Sequence, residues 1–205
     1  MDIYNKYVLP KLTHWVCSGQ DMTDQRIKII PQAFGRVLEI GIGSGLNLPF
    51  YNPEKIDFLW GLDPSEQLRK IAEKKAVDLP FNVEFIGLSG EEIPLEKNCA
   101  DTVVVTYTLC SIPDVLKALI EMNRVLKPGG KLIFCEHGKS PDHHIYKWQN
   151  RMNPIWKRVS GGCNLNRHIP SLIEKGGFKI NHLDMAYMSR FKLASFNYWG
   201  TAVLK

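Results

Sequence analysis

The chain has 205 residues, 44% hydrophobic and 23% charged, with a formal net charge of +5. That is long enough for one domain with a sizeable core and short for two, and no run approaches the roughly 18 apolar residues that a membrane-spanning helix needs. Asp2, Lys6 and Lys11 interrupt the first turns of the chain, which do not read as a secretory signal, so a cytoplasmic location is expected.

Short apolar runs alternate with helix-like segments. Val37–Ile40 reads as a first strand entering a glycine-rich loop that leads into a helix. Phe58–Leu62 reads as a second strand closed by Asp63-Pro64, Val83–Ile86 as a third and Thr102–Thr106 as a fourth, apolar enough for both faces to be covered. Lys131–Cys135 is a fifth, started by the Pro128-Gly129-Gly130 turn. Segments such as Ser65–Lys75 and Val115–Leu126 between these runs imply βαβ units and a parallel sheet. Gly176-Gly177 stops a helix before a strand at Phe178–Ile180, and Tyr198–Leu204 reads as a last strand. Residues 138–169 are too long for a plain loop. They read as an inserted cap of two short helices broken at Asn153-Pro154.

Charge is unevenly spread. From Arg124 to His168 nine Lys/Arg face two acids, Glu136 and Asp142, a basic patch that suits a solvated face or an anionic partner. The five cysteines (Cys17, Cys99, Cys110, Cys135 and Cys163) are odd in number and form no CxxC pair. Reduced and mostly buried thiols are expected, with no disulfide framework and no metal site.

The strongest local signal is Glu39-Ile40-Gly41-Ile42-Gly43-Ser44-Gly45 after a strand. Its glycine spacing departs from G-x-G-x-x-G, since Leu46 stands where a dinucleotide binder has its third glycine, and no phosphate-cradling G-x-x-x-x-G-K-[ST] is present. Asp63 ends the second strand at the sheet edge where ligands bind. Its carboxylate suits either the hydroxyls of a ribose or the cap of the next helix.

In this order along residues 35–137 the motifs resemble those of class I S-adenosylmethionine (SAM)-dependent methyltransferases. Val37–Gly45 resembles their first motif, Asp63 their ribose-binding acid, Asp101–Thr106 their fourth strand and Leu126–Gly130 the turn before their fifth. The fold this implies is α/β: a Rossmann-like doubly wound sheet of about seven strands, mostly parallel with an antiparallel last strand, in a single domain over 1–205. Residues 1–34 would form a helical lid and 138–169 a cap after strand five.

The resemblance places Glu39 at the methionine end of SAM, Gly41, Gly43 and Gly45 along it, and Ser89, Gly90 and Glu91 beside adenine. Asn47, Pro64, Thr106 and Tyr107 complete the expected cofactor-binding set. Ser89-Gly90 departs from the Asp-Ala pair of many relatives. Leu46–Tyr51, Thr108–Ser111, Glu136-His137, Trp156-Lys157 and Gly162–Leu165 are similar to the methyltransferase-like 7 group of alkyl thiol methyltransferases, and more loosely to ubiquinone/menaquinone-biosynthesis methyltransferases. The hydrophobic N-terminal anchor of the first group has no counterpart in residues 1–20.

The chemistry expected is methyl transfer to a small, fairly apolar acceptor: a thiol first, a quinone precursor or lipid second, with a non-catalytic SAM-binding or membrane-surface protein as the contrasting class. Transfer from a sulfonium needs alignment above all, and a thiol must become a thiolate. His137, Glu136 and Tyr107 are the candidate catalytic residues, with His137 the candidate base, while Cys110 reads as core. Arg167 and His168 are candidates to reach the pocket from the cap. No nucleic-acid partner is expected, because no recognition module is present. Ile145, Trp148, Met152, Ile155 and Trp156, beside Lys147, Arg151 and Arg158, form a stripe that either packs on the domain or meets a membrane surface. Tyr4, Tyr7, His14 and Trp15 are candidates for the lid, and the protein is expected as a monomer or dimer.

Overall fold

In the computed structural model, which describes residues 8–205, the apolar runs form one seven-stranded sheet. Its strands are β1 (Gly35–Ile40), β2 (Ile56–Leu62), β3 (Asn82–Ile86), β4 (Ala100–Thr106), β5 (Leu126–His137), β6 (Phe178–Tyr187) and β7 (Phe196–Leu204). Their order is β3-β2-β1-β4-β5-β7-β6. All neighbours pair parallel up to β5, and β7 is antiparallel to both β5 and β6. The doubly wound expectation therefore holds, with β7 slotted between two strands that run the other way.

Alternation along the strands explains why both faces are covered. Leu38, Val103, Val105, Leu132 and Phe134 point to one apolar layer, beneath α4 (Val115–Val125) and α6 (Ile169–Lys175). Val37, Val104 and Ile133 point to the other, with Ile29 of α2 (Gln20–Ile29) and Ala72 of α3 (Glu66–Ala76). Successive side chains on a strand face opposite ways, so a run such as Val103-Val104-Val105 feeds both layers. Two helix starts are capped as their sequences suggest: Ser65 Oγ accepts from Leu68 N, and Asp114 Oδ1 from Lys117 N.

Three expectations are corrected. The glycine-rich loop does not open a helix; only a short 3₁₀ turn, Leu48–Phe50, lies between β1 and β2. Pro49 and Pro53 disfavour helical geometry in the residues before them and remove amide donors, and Tyr51 is turned inward to Glu39. Glu136 and His137, expected just beyond the fifth strand, are its last two residues, with His137 opposite Asn197 of β7. The cap is one helix, α5 (His143–Val159), running through Pro154. Asp142 caps its start by accepting from His144 N. Asn153 holds its far half in place, its Oδ1 accepting from Leu165 N and its Nδ2 donating to Asn164 Oδ1. Pro154 is exposed, so its ring meets solvent and the helix loses one hydrogen bond without a core clash.

Among the described residues no helix is long and apolar enough to cross a membrane. Gly45 shows why the loop is glycine-rich. Its φ is +70°, and a Cβ there would lie 2.7 Å from Leu48 Cδ1 and 3.1 Å from Ala72.

Pro154→Ala restores an amide to the Asn150 carbonyl at an exposed position. Urea unfolding is expected to show stabilisation by about 1–3 kcal/mol, the cost of a proline inside a helix. A loss of stability would mean that Pro154 itself sets the seat of α5.

Candidate active site

The strand order reverses between β1 and β4, and in such sheets the crevice outside the carboxyl ends at that point is the binding place. A cavity of about 1020 Å³ lies there. Glu39, Gly41, Gly43 and Asn47 line it from the β1 side, Asp63 and Pro64 from β2, Ser89 and Gly90 from the β3 side, and Thr106, Tyr107 and His137 from β4 and β5.

The floor is a buried polar network. Glu39 is almost wholly enclosed. Its Oε1 accepts from Asn47 Nδ2 at 2.9 Å and its Oε2 from Tyr51 Oη at 2.7 Å. Asn47 Nδ2 also reaches Thr106 Oγ1 at 3.0 Å, and Asn47 Oδ1 accepts from buried Arg26 Nε at 3.0 Å. Burial pushes the Glu39 carboxyl up to about 7 against the hydrogen bonds from Tyr51 and Asn47 and the charge of Arg26. A cation brought into the cavity beside it would favour its ionised form.

Asp63 is also buried. Its Oδ2 accepts from Gly43 N at 3.0 Å and its Oδ1 from Ser65 N at 2.8 Å. Burial raises its pKa against those two bonds. Asp63 thus holds the turn into α3, whose cap is Ser65 and not Asp63, and each of its oxygens keeps a further lone pair with which to accept a ligand hydroxyl. Gly41, at φ +71°, brings the loop so close to Thr108 that a Cβ would overlap that side chain. A glycine-cleared backbone beside a two-acceptor carboxylate at one end, with a carboxylate for a cation at the other, fits a nucleoside linked to a cationic amino-acid moiety.

Not all the expected residues meet here. Gly45 lies behind the wall and serves packing. Glu91 is turned away, with Oε1 accepting from Asp114 N and Oε2 from Ser89 Oγ. Glu136 is fully buried off the cavity. Its Oε1 accepts from Thr108 N at 2.7 Å and Leu109 N at 3.0 Å, so it shapes the loop after β4. Burial lifts its carboxyl to about 7 against those bonds. That loop holds Tyr107 at φ +54°, a conformation costly for a bulky residue. Burial also pushes the Tyr107 phenol well above its ordinary range. Arg167 donates to the Leu109 carbonyl and His168 caps α6, and neither reaches the cavity.

His137 does reach it, but its Nε2 lies 3.0 Å from Cys163 Sγ and its Nδ1 is buried without a partner among the described residues. The base role expected of His137 would therefore run through an Nε2 that already faces the Cys163 sulfur. Burial works to lower the His137 pKa, but the adjacent Cys163 sulfur outweighs it and the net direction is upward. Cys163 is held well below the usual thiol range by the hydrogen bond from Cys110, against burial, with His137 and Trp156 assisting. The sequence reading missed Cys163 and Arg26 as site residues and took Cys110 for core alone.

The roof comes from two helical segments. Leu9, Leu12, His14 and Val16 of α1 (Leu9–Cys17) line the cavity, and His14 Nδ1 bonds Ser44 Oγ at 2.6 Å. Trp15 is 73% exposed and faces away, and Tyr4 and Tyr7 lie outside the described residues. Trp156 and Val159 of α5 close the other side.

A seven-stranded sheet of this order with this carboxyl-edge site defines a class I SAM-dependent methyltransferase, and the chain belongs to that family. Residues 38–134 match the family described as "Methyltransferase domain". The chain is 37% identical to thiol S-methyltransferase TMT1B of Rattus norvegicus over 148 residues, 69% of this chain and 59% of that protein. It is 32% identical to human thiol S-methyltransferase TMT1A over 189 residues, 88% of this chain and 74% of that protein. The chain thus spans about three fifths of the length of the first of these relatives. In fold it is similar to a SAM-dependent methyltransferase from Leishmania major, with a TM-score of 0.71 at 15% identity, covering 97% of this chain and 80% of that one. The cofactor is SAM.

Two outcomes are expected in calorimetry. Asp63→Ala weakens SAM binding by about a hundredfold, the loss of two ribose hydrogen bonds to a charged acceptor at about 1.5 kcal/mol each. The raised Glu39 pKa also makes binding of the cationic cofactor release a proton. Affinity should therefore rise as pH increases through about 7, and Glu39→Gln should flatten that rise.

Proposed function

We propose that the protein is a thiol S-methyltransferase acting on small, apolar thiols. The observation that carries this reading is the continuity of the cavity. It runs from Asp63 and the glycine loop to a wall where Cys110, His137 and Cys163 stand, under a roof of Leu12, Val16, Trp156 and Val159. A charged acceptor would lose its hydration against such a roof, whereas an alkyl chain gains by burial. The two relatives above carry the name thiol S-methyltransferase.

SAM supplies a methyl on a positively charged sulfur, and the charge disappears as the methyl leaves. What the chain contributes is alignment: Asp63 and Gly43 at the ribose end, Glu39 and Asn47 at the amino-acid end, and α1 and α5 excluding water above the reacting atoms. Glu39, Asn47, Thr106, Tyr107, Ser89 and Gly90 are the residues assigned to the cofactor, with Asp63, Pro64, Gly41 and Gly43. The same reading includes peripheral contact with a membrane. Trp148 of α5, Ile155 of α5, and Phe191 are all exposed, Phe191 borders the cavity, and Lys147, Arg151 and Arg158 lie near the first two along the helix. A basic apolar face of this kind draws lipophilic acceptors out of an anionic bilayer.

The test is S-adenosylhomocysteine formation with a panel of small alkyl thiols, against thiol-free and Asp63→Ala controls. Thiol-dependent product that Asp63→Ala abolishes is expected. No thiol-dependent product from a protein that binds SAM by thermal shift would overturn the reading and direct the search to quinone and lipid acceptors. Binding to anionic vesicles is expected to weaken with salt and with Trp148→Ala/Ile155→Ala, as sedimentation would show.

A further inference from the structure

Cys110, His137 and Cys163 come from the loop after β4, the end of β5 and the loop after α5, and their ligand atoms all lie within 4.8 Å of one another. His137 Nε2 is 3.0 Å from Cys163 Sγ. Donors around one tetrahedral zinc ion stand roughly 3.3–3.8 Å apart, given Zn–S near 2.3 Å and Zn–N near 2.0 Å, so small movements bring these three onto a common ion. All three line the cavity.

Two further observations support a built site. The His137 ring is buried, and the nitrogen that would ligate, Nε2, is the one that faces Cys163 Sγ. The loops that carry the sulfurs are also fixed to each other. Asn164 N and Nδ2 both donate to the Cys110 carbonyl, each at 2.9 Å, and Trp156 Nε1 points at Cys163 Sγ at 3.4 Å. Support of this sort orients ligands and tunes a metal.

We propose that Cys110 Sγ, His137 Nε2 and Cys163 Sγ bind one zinc ion whose fourth position faces the cavity and takes the sulfur of the acceptor thiol. Thiolate and imidazole ligands select a soft or borderline ion, and three protein ligands with one open position are the pattern of zinc sites that do chemistry. The identity of the fourth ligand rests on the thiol reading above; the metal site does not. The acceptor R–SH binds as R–S⁻ and its proton passes to solvent, because a thiol on zinc is deprotonated. A sulfur lone pair then forms the S–CH₃ bond as the methyl–sulfonium bond breaks, and that bond's electron pair neutralises the departing sulfur. The product thioether is a weaker zinc ligand than a thiolate and leaves. This supplies the proton removal without calling on a protein base.

The probe is cobalt(II), added to the purified, reduced, full-length chain from which zinc has been stripped. One cobalt per chain is expected, with a sulfur-to-cobalt charge-transfer band and tetrahedral visible absorption. Cys163→Ser and Cys110→Ser should each weaken retention at least tenfold while SAM binding and thermal melting persist, and Asp63→Ala should retain full cobalt. Adding an alkyl thiol should strengthen the charge-transfer band. A chain that methylates thiols with no stoichiometric metal, or whose Cys110 and Cys163 prove to be joined as a disulfide, overturns the metal site and leaves the thiol reading standing. Full cobalt binding with no spectral response to thiols and no thiol turnover overturns the acceptor's place on the ion together with the thiol reading.

Discussion

A carboxylate taken out of water must be compensated where it stands, and the site is organised around that requirement at Glu39. The residue is fixed at the penultimate position of β1, paired between Gly61 of β2 and Val104 of β4. Its two oxygens draw Asn47 and Tyr51 inward, which curls the segment after the glycine loop into a short turn instead of a helix. Asn47 in turn ties Thr106 of β4 and Arg26 of α2 to the same point. One buried charge thus joins two strands, the loop and the N-terminal helices. Breaking such a network leaves groups unpaired in a low dielectric, so its parts are fixed together.

From that anchor the cavity follows. Arg26 seats α2, also donating to the Cys17 carbonyl at the end of α1, and its guanidinium stands 5.3 Å from the Tyr107 ring centre. The roof is therefore tied to the floor by the group that balances Glu39. On the other side Glu136 does the corresponding work for the loop after β4, holding its amides so that Tyr107 keeps its strained backbone. Two buried carboxylates shape the two loops, with Thr106 and Tyr107 of the cavity wall between them.

Much of this was legible in the chain. Strand positions followed from apolar runs such as Val103–Val105, because only a strand covered on both faces tolerates them. Glu39, the glycines and Asp63 were legible because a backbone that approaches a ligand needs glycine and a ribose needs a paired acceptor. The missing helix after Gly45 was written in Pro49 and Pro53 but outweighed by the expectation of a helix after every strand. The continuity of α5 through Pro154 was not legible, since it depends on Asn153 finding partners at Asn164 and Leu165 in a loop that returns beside it.

The sequence by itself determined the doubly wound sheet, its carboxyl-edge site and several residues that line the cavity there, Glu39, Gly41, Gly43 and Asp63 among them, because each rests on local spacing: alternation along a strand, glycine in a turn, an acid at a strand end. Only the tertiary structure decided which side chains are free to act. Glu136, beside His137 in sequence, points into the loop backbone while His137 points to the cavity, because successive residues on β5 face opposite ways. Cys110 and Cys163 meet His137 through the return of α5 and the Asn164 bonds, a proximity created by packing between segments far apart in the chain and carried by no local pattern.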